Sequence, residues 1–164
     1  MRDPRSLSGH GMLLAPPPGW STQLGKREPA VGAPPGSGLP LLHAATFPLP
    51  PRRGDYGSGA VVQMGSNDLL VVLMEFSAGS AGAALFSGRG LPRPAPADFS
   101  PHQLQRTLPG QSGYQRFFVW QGRPFCLYVV LGSHSRRARL IPRLHQLLDG
   151  LSVTAAGPTT REIR

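Results

Sequence analysis

The stretch GYQRFFVWQGRPFCLYVVLG, residues 113–132, decides how the rest of the chain is read. It holds six aromatic rings, two arginines and the only cysteine of the 164 residues. One reading makes it a working surface, with rings to stack bases, arginines for phosphate and a thiol for chemistry. The other makes it core. Residues 114–120 mix polar and apolar side chains: Tyr114, Arg116, Phe118 and Trp120 share one face, and Gln115, Phe117 and Val119 the other. Residues 125–131, FCLYVVL, are apolar on both faces, as are Leu69 to Met74. Strands that read apolar without a break are covered on both sides. The ribbon is therefore assigned to the core.

A two- or four-residue turn at Gln121-Gly122 sets Phe118 beside Phe125 or Leu127 and gives Cys126 a face shared with Phe117 and Val119. A three-residue turn swaps the faces. Each cross-strand pair is worth roughly 0.2–1 kcal/mol.

Working outward, Pro16-Pro17-Pro18-Gly19 leads into a short alternating strand, Trp20 to Leu24, and Leu41 to Phe47 is a second. Residues 48–59, PLPPRRGDYGSG, are loop; residues 60–64, AVVQM, are expected as a third strand. Gly65-Ser66-Asn67-Asp68 is turn chemistry, and Leu69 to Phe76 follows as a fourth strand. Residues 77–88 have room for one helical turn, and Ser100 is placed to cap another at Pro101 to Arg106, with proline at its first position. After the hairpin, Leu140, Leu144, Leu147, Leu148 and Leu151 form one apolar stripe, which predicts a helix over 136–151. Pro142 either kinks it or delays its regular part to about Ile141, and Gly150 stands where a C-terminal cap is expected.

The expected object is α+β: residues 1–15 a flexible leader, 16–155 one domain, 156–164 a flexible tail. Its antiparallel sheet of five to six strands is covered on both faces. The C-terminal helix supplies one layer. The other must come from segments near 79–87 and 101–107, from loops, or from a partner chain.

Composition sets the outer limits. The length suits one domain with a real core. Proline and glycine, 19 and 21 residues, concentrate in segments such as 14–19, 29–40 and 91–96, so loops carry that bias. Sixteen arginines against the single Lys26 match coding from a G+C-rich genome. One cysteine excludes an internal disulfide. Met12 to Ala15 is too short for a secretory core, and no window reaches the ~18 apolar residues of a membrane span. A soluble cytoplasmic protein without cofactor is the default expectation.

PPPGW opening the first strand, the twisted sheet, and the closing RLHQLLDGLSV resemble the PsbP/Mog1-like group of small α/β/α domains. That resemblance covers about twenty residues at the two ends. It implies a non-catalytic binding or accessory role and carries over no functional residue.

Candidate chemistry is sparse. Cys126 as nucleophile would need a base such as His134 and a stabilised thiolate, but it lies mid-strand between Phe125 and Leu127. Ser112 in Gly110-Gln-Ser-Gly-Tyr114 misses the G-x-S-x-G elbow by one position, and a strand rather than a helix follows it. The five histidines are scattered; His134 and His145, eleven apart, would stand roughly 16 Å apart on one helix, too far to share a metal. C-x-x-C, H-E-x-x-H and P-loop patterns are missing.

Charge is the stronger signal. Residues 99–148 carry seven arginines and no acid, +7 of the net +9. Arg136, Arg137, Arg139 and Arg143 gather at the start of the helix with His134. Cations there oppose the helix dipole by about 0.3–1 kcal/mol each if exposed, so a partner would explain them, as would solvated flanks or stems packed on the sheet. The expected function is a non-enzymatic binding module that meets another protein, or a second copy of itself, through an apolar sheet face or this basic end. The alternatives are an acidic partner and nucleic acid held by the same four arginines.

Overall fold

The ribbon pairs across a two-residue turn whose residues, Gln121 and Gly122, both have positive φ, 53° and 74°. That is the hairpin turn matching the right-handed twist of its strands. The computed structural model describes residues 4–29, 31–34 and 37–157. In chain order it contains β1 (Leu7–Gly9), β2 (Met12–Leu14), β3 (Ser21–Lys26), β4 (Pro40–Ala45) and β5 (Leu69–Glu75). Then come β6 (Gly88–Arg89), β7 (Ser112–Trp120), β8 (Arg123–Leu131), α1 (Arg137–Asp149) and β9 (Leu151–Val153). Phe118 faces Phe125 and Phe117 faces Cys126, so the two-residue alternative is the one adopted. The Phe118 and Phe125 rings stack 5.8 Å apart, and every residue of β8 is buried.

The main sheet has the order β3-β4-β5-β8-β7-β6, and β1-β2-β9 form a second, three-stranded sheet. The class is α+β. The expected purely antiparallel sheet is corrected: β6 runs parallel to β7. After 3-10 turns at Ala78–Gly82 and Ala84–Phe86 the chain comes back along the outer edge of β7 for only two residues. A Cβ on Gly88 would stand 3.1 Å from the Phe117 carbonyl oxygen, tight for any larger residue.

Leu42, Leu73, Leu127 and Phe118 face one core, closed by Leu140, Ile141, Leu144, Leu147 and Leu148 of α1 and by Met12 and Leu14 of β2. On the other side Val72, Met74, Cys126, Tyr128 and Val130 lie under Val61, Phe47, Leu49, Tyr56, Leu104 and Leu108. This second layer is irregular chain, mostly from residues 47–64. It reaches the central strands but not the edge: in β3 Gln23 and Lys26 are exposed and the other four residues half-buried. Cover on both faces therefore holds for β5 and β8 and stops short of the sheet's rim.

Three further expectations are corrected. Residues 60–64 are not a strand; Val61–Gln63 is a 3-10 turn with Val61 pressed onto the sheet. A short apolar run cannot be told from a helical turn by periodicity. Residues 101–106 form no helix: Ser100 bridges Gly113 by two backbone bonds of 2.9 Å, and its hydroxyl accepts the His102 N–H at 3.1 Å. Residues 7–14, expected within a flexible leader, are the β1–β2 hairpin, with His10 and Gly11 at φ 50° and 71° and with Met12 and Leu14 in the core. Three-residue strands carry too little alternation to be seen; their pairing with β9, far along the chain, holds them. Of the expected tail, Ala156 N–H bonds the Gln121 carbonyl at 2.9 Å, and residues 158–164 lie outside the described residues.

The helix is continuous through Pro142, its sixth residue. The ring deprives only the Ala138 carbonyl of a donor, and both residues are exposed, where solvent serves that carbonyl. Gly150 ends the helix at φ −89°, so no left-handed cap forms. Glycine is needed for space instead: a Cβ there would stand 2.2 Å from the Ala15 carbonyl oxygen, where the Ala15 N–H bonds the Gly150 carbonyl at 2.9 Å.

Arg123 joins the two sheets. Its Nε and Nη2 fork onto the Glu75 carboxylate at 2.9 and 2.7 Å. Nη2 also donates to the His10 carbonyl at 2.9 Å, and Nη1 to those of Gly11 and Thr154 at 3.0 and 3.1 Å. Counted by sequence among the cations of a basic face, Arg123 is only 8% exposed. Arg123→Met leaves the largely enclosed Glu75 carboxylate unpaired and is expected to lower the unfolding free energy by about 3–5 kcal/mol. Adding Glu75→Met should recover much of that loss, measured by urea denaturation of both variants.

Candidate functional site

The turn 65–68 is the base on which the basic end of the molecule is built. Asp68 accepts the Gly65 N–H at Oδ2 (2.8 Å) and the Thr46 hydroxyl at Oδ1 (2.9 Å), which fixes the turn against the end of β4. Asn67, at its tip, is then presented to the helix. Arg136 Nη1 donates to Asn67 Oδ1 at 2.6 Å and Arg143 Nη1 to the Asn67 carbonyl at 3.0 Å. The two arginines are seven residues apart, close to two helical turns, so they leave the helix in nearly the same direction. Arg139, exposed, lies on the same flank. Arg137 turns back, donating from Nη1 to the His134 carbonyl at 2.8 Å.

So the structure brings Arg136 and Arg143 together on one residue, sets Arg139 beside them, and uses Arg137 to brace the helix start. Between described residues the ion pairs are Arg93–Asp149 and Arg123–Glu75, and neither takes an arginine of this group. Their bonded acceptors are neutral. The positive charge stays undiminished.

His134, expected within the basic patch, has another task. Its Nδ1 lies 2.8 Å from the Ser112 hydroxyl and its N–H donates to the Gly110 carbonyl at 2.7 Å, pinning the helix start to β7. Sequence reasoning tested His134 against Cys126, not against Ser112. The Ser–His contact still offers no nucleophile, because Ser112 is fully buried within a strand. Cys126 is also fully enclosed; its sulfur lies 3.8 Å from Gln115 Nε2, and burial pushes the thiol up from 9.0 to about 11. Among the described residues no cluster of three His, Cys, Asp or Glu could hold a metal ion, and no helix is long and apolar enough to cross a membrane.

A second polar cluster was missed by sequence reasoning, its only signal being the pair Arg52-Arg53 in a Pro/Gly loop. His43, in β4, is 3% exposed. Arg53 Nε donates to His43 Nδ1 at 2.6 Å. Arginine can only donate, so Nδ1 accepts, and the ring proton sits on Nε2 and goes to the Asp55 carbonyl at 2.7 Å. Burial, reinforced by the Arg53 charge, brings the ring down from 6.5 to about 4, against the opposing pull of Asp55. Arg53 also donates to the Pro50 carbonyl at 2.8 Å and to Gln23 Oε1.

Comparison with family models, with curated proteins and with solved structures returns no match.

The Cys126 thiol is expected to react with a thiol reagent at pH 8 at least about tenfold more slowly in the native protein than in denaturant, measured by absorbance. For His43 the unfolded chain binds the proton first. Its contribution is therefore complete above pH 6.5, is lost as pH falls toward about 4, and changes little below. The full loss is about 3 kcal/mol. Urea midpoints measured across that window should fall for the native sequence and flatten for His43→Asn.

Proposed function

We propose that this protein is a non-enzymatic binding module that holds an acidic protein segment against the arginine-bearing start of α1. One observation carries the reading: Arg136 and Arg143 are both fixed on Asn67, a neutral residue, while Arg139 stands exposed beside them. A guanidinium already held in place loses less side-chain freedom on binding, and one without a counter-charge keeps its full attraction for a carboxylate. Two such cations with Arg139 beside them on one flank suit a run of aspartates or glutamates.

Two features support this choice over other partners. The chain's own residues 47–64 fill the space over β5 and β8 that a partner's apolar surface would need. Four of the six hairpin rings are buried in one core or the other and Phe117 and Trp120 pack half-buried against them, so the ribbon offers the arginines no open platform for stacking bases. The resemblance of PPPGW and RLHQLLDGLSV to PsbP/Mog1-like domains favours the same accessory role.

An immobilised glutamate-rich peptide is expected to retain the protein at low salt and release it steeply as salt rises. Arg136→Ser, Arg139→Ser and Arg143→Ser together should weaken retention at least about tenfold while leaving the circular dichroism unchanged. Equal retention of the triple variant would remove this reading. Much stronger retention on single-stranded DNA than on the peptide, lost in the same variant, would replace it with nucleic-acid binding.

A further inference from the structure

Arg53 is another cation held by neutral acceptors, remote in sequence from the helix arginines. It is half-buried, and each of its three nitrogens is bonded: Nε to His43, Nη1 to the Pro50 carbonyl, Nη2 to Gln23. All three acceptors are neutral, and no carboxylate among the described residues forms an ion pair with it. Charges taken partly out of water are normally paired. Here the cost is visible in Arg53 itself, whose titration burial pulls down. The side chain is nevertheless aimed and locked by a buried imidazole that has to stay neutral to accept its proton. A guanidinium carries five N–H groups. Three are used, leaving one on each terminal nitrogen.

Arg53 lines a recess of about 120 Å³ together with Gln23, Gly25, Lys26, Leu41 and His43, with no carboxylate in its lining. A wider depression of about 610 Å³ shares five of these residues and adds Arg52, a third cation, together with the carboxylates of Glu28 and Asp55. We propose that this recess between β3 and the loop 50–59 binds the single phosphoryl group of a small-molecule ligand, with Arg53 as its anchor. A tetrahedral dianion meets a planar fork and two further cations there. The recess is too small for more than one such group, since pockets enclosing whole drug-sized ligands run to roughly 300–1,000 Å³. The two carboxylates of the wider depression select against a second anionic group, so the remainder of the ligand is neutral or cationic and a polyanion is disfavoured.

The probe is inorganic phosphate, titrated at pH 7.5 into the full chain while the Arg53 Nε–H and Gln23 amide resonances are followed by NMR. Saturable shifts are expected, with benzoate at least about tenfold weaker as a planar monoanion. Arg53→Gln should weaken phosphate at least about tenfold. Because that change also removes the bonds to His43 and Gln23, Lys26→Ser with Arg52→Ser, both exposed positions, provides a folded control and should weaken phosphate at least about threefold. The absence of saturable shifts, unaltered affinity in that double variant, or benzoate binding as tightly as phosphate would each overturn the proposal. The variant Arg136→Ser, Arg139→Ser, Arg143→Ser should bind phosphate here unchanged. Loss of the Arg53 shift in that variant would overturn the recess and leave the helix site standing.

Discussion

The fold depends on one guanidinium. Arg123 begins β8, the strand buried along its whole length, and from there it reaches the end of β5, the tip of the β1–β2 hairpin and the residue after β9. The small sheet has only three strands of three residues each. It is held by the apolar contacts of Met12 and Leu14 below and by three bonds from Arg123 at its end, while the same guanidinium forks onto Glu75 of the main sheet. A hydrophobic side chain at this position could pack but could not satisfy three carbonyl groups and a carboxylate. Lysine could not fork.

The same chemistry separates the arginines into three uses. Arg123 is neutralised by Glu75 and serves the fold. Arg136 and Arg143 are oriented by Asn67, outside, with their charge intact. Arg53 is oriented by His43, Gln23 and Pro50, half inside, also with its charge intact. An excess of arginine from base composition would explain the number of cations. It does not explain why neutral groups on distant parts of the chain converge on particular ones.

Much of the main sheet was legible because its central strands are extreme. FCLYVVL and LLVVLM are apolar on both faces, and only a doubly covered strand tolerates that. The leucine stripe gave α1 because its spacing follows the helix alone. The small sheet was not legible, since MLL and LSV are too short to show a period, and their pairing joins opposite ends of the chain. AVVQM failed for the opposite reason: its apolar residues fit a strand, but the glycines before it bend the chain over the sheet as a lid. At the candidate sites, the arginine cluster was visible as a run of charge. Asn67 was visible only as a turn residue, and the His43–Arg53 contact not at all.

The sequence by itself determined the class, the buried hairpin, the one long helix and the concentration of positive charge. Each of these is local, set by side-chain periodicity or by neighbours along the chain. Tertiary structure alone decided which arginines are neutralised, which are aimed, and which histidine is kept uncharged. Those outcomes depend on acceptors 10 to 113 residues away, brought within bonding distance only when the two sheets and their loops close together.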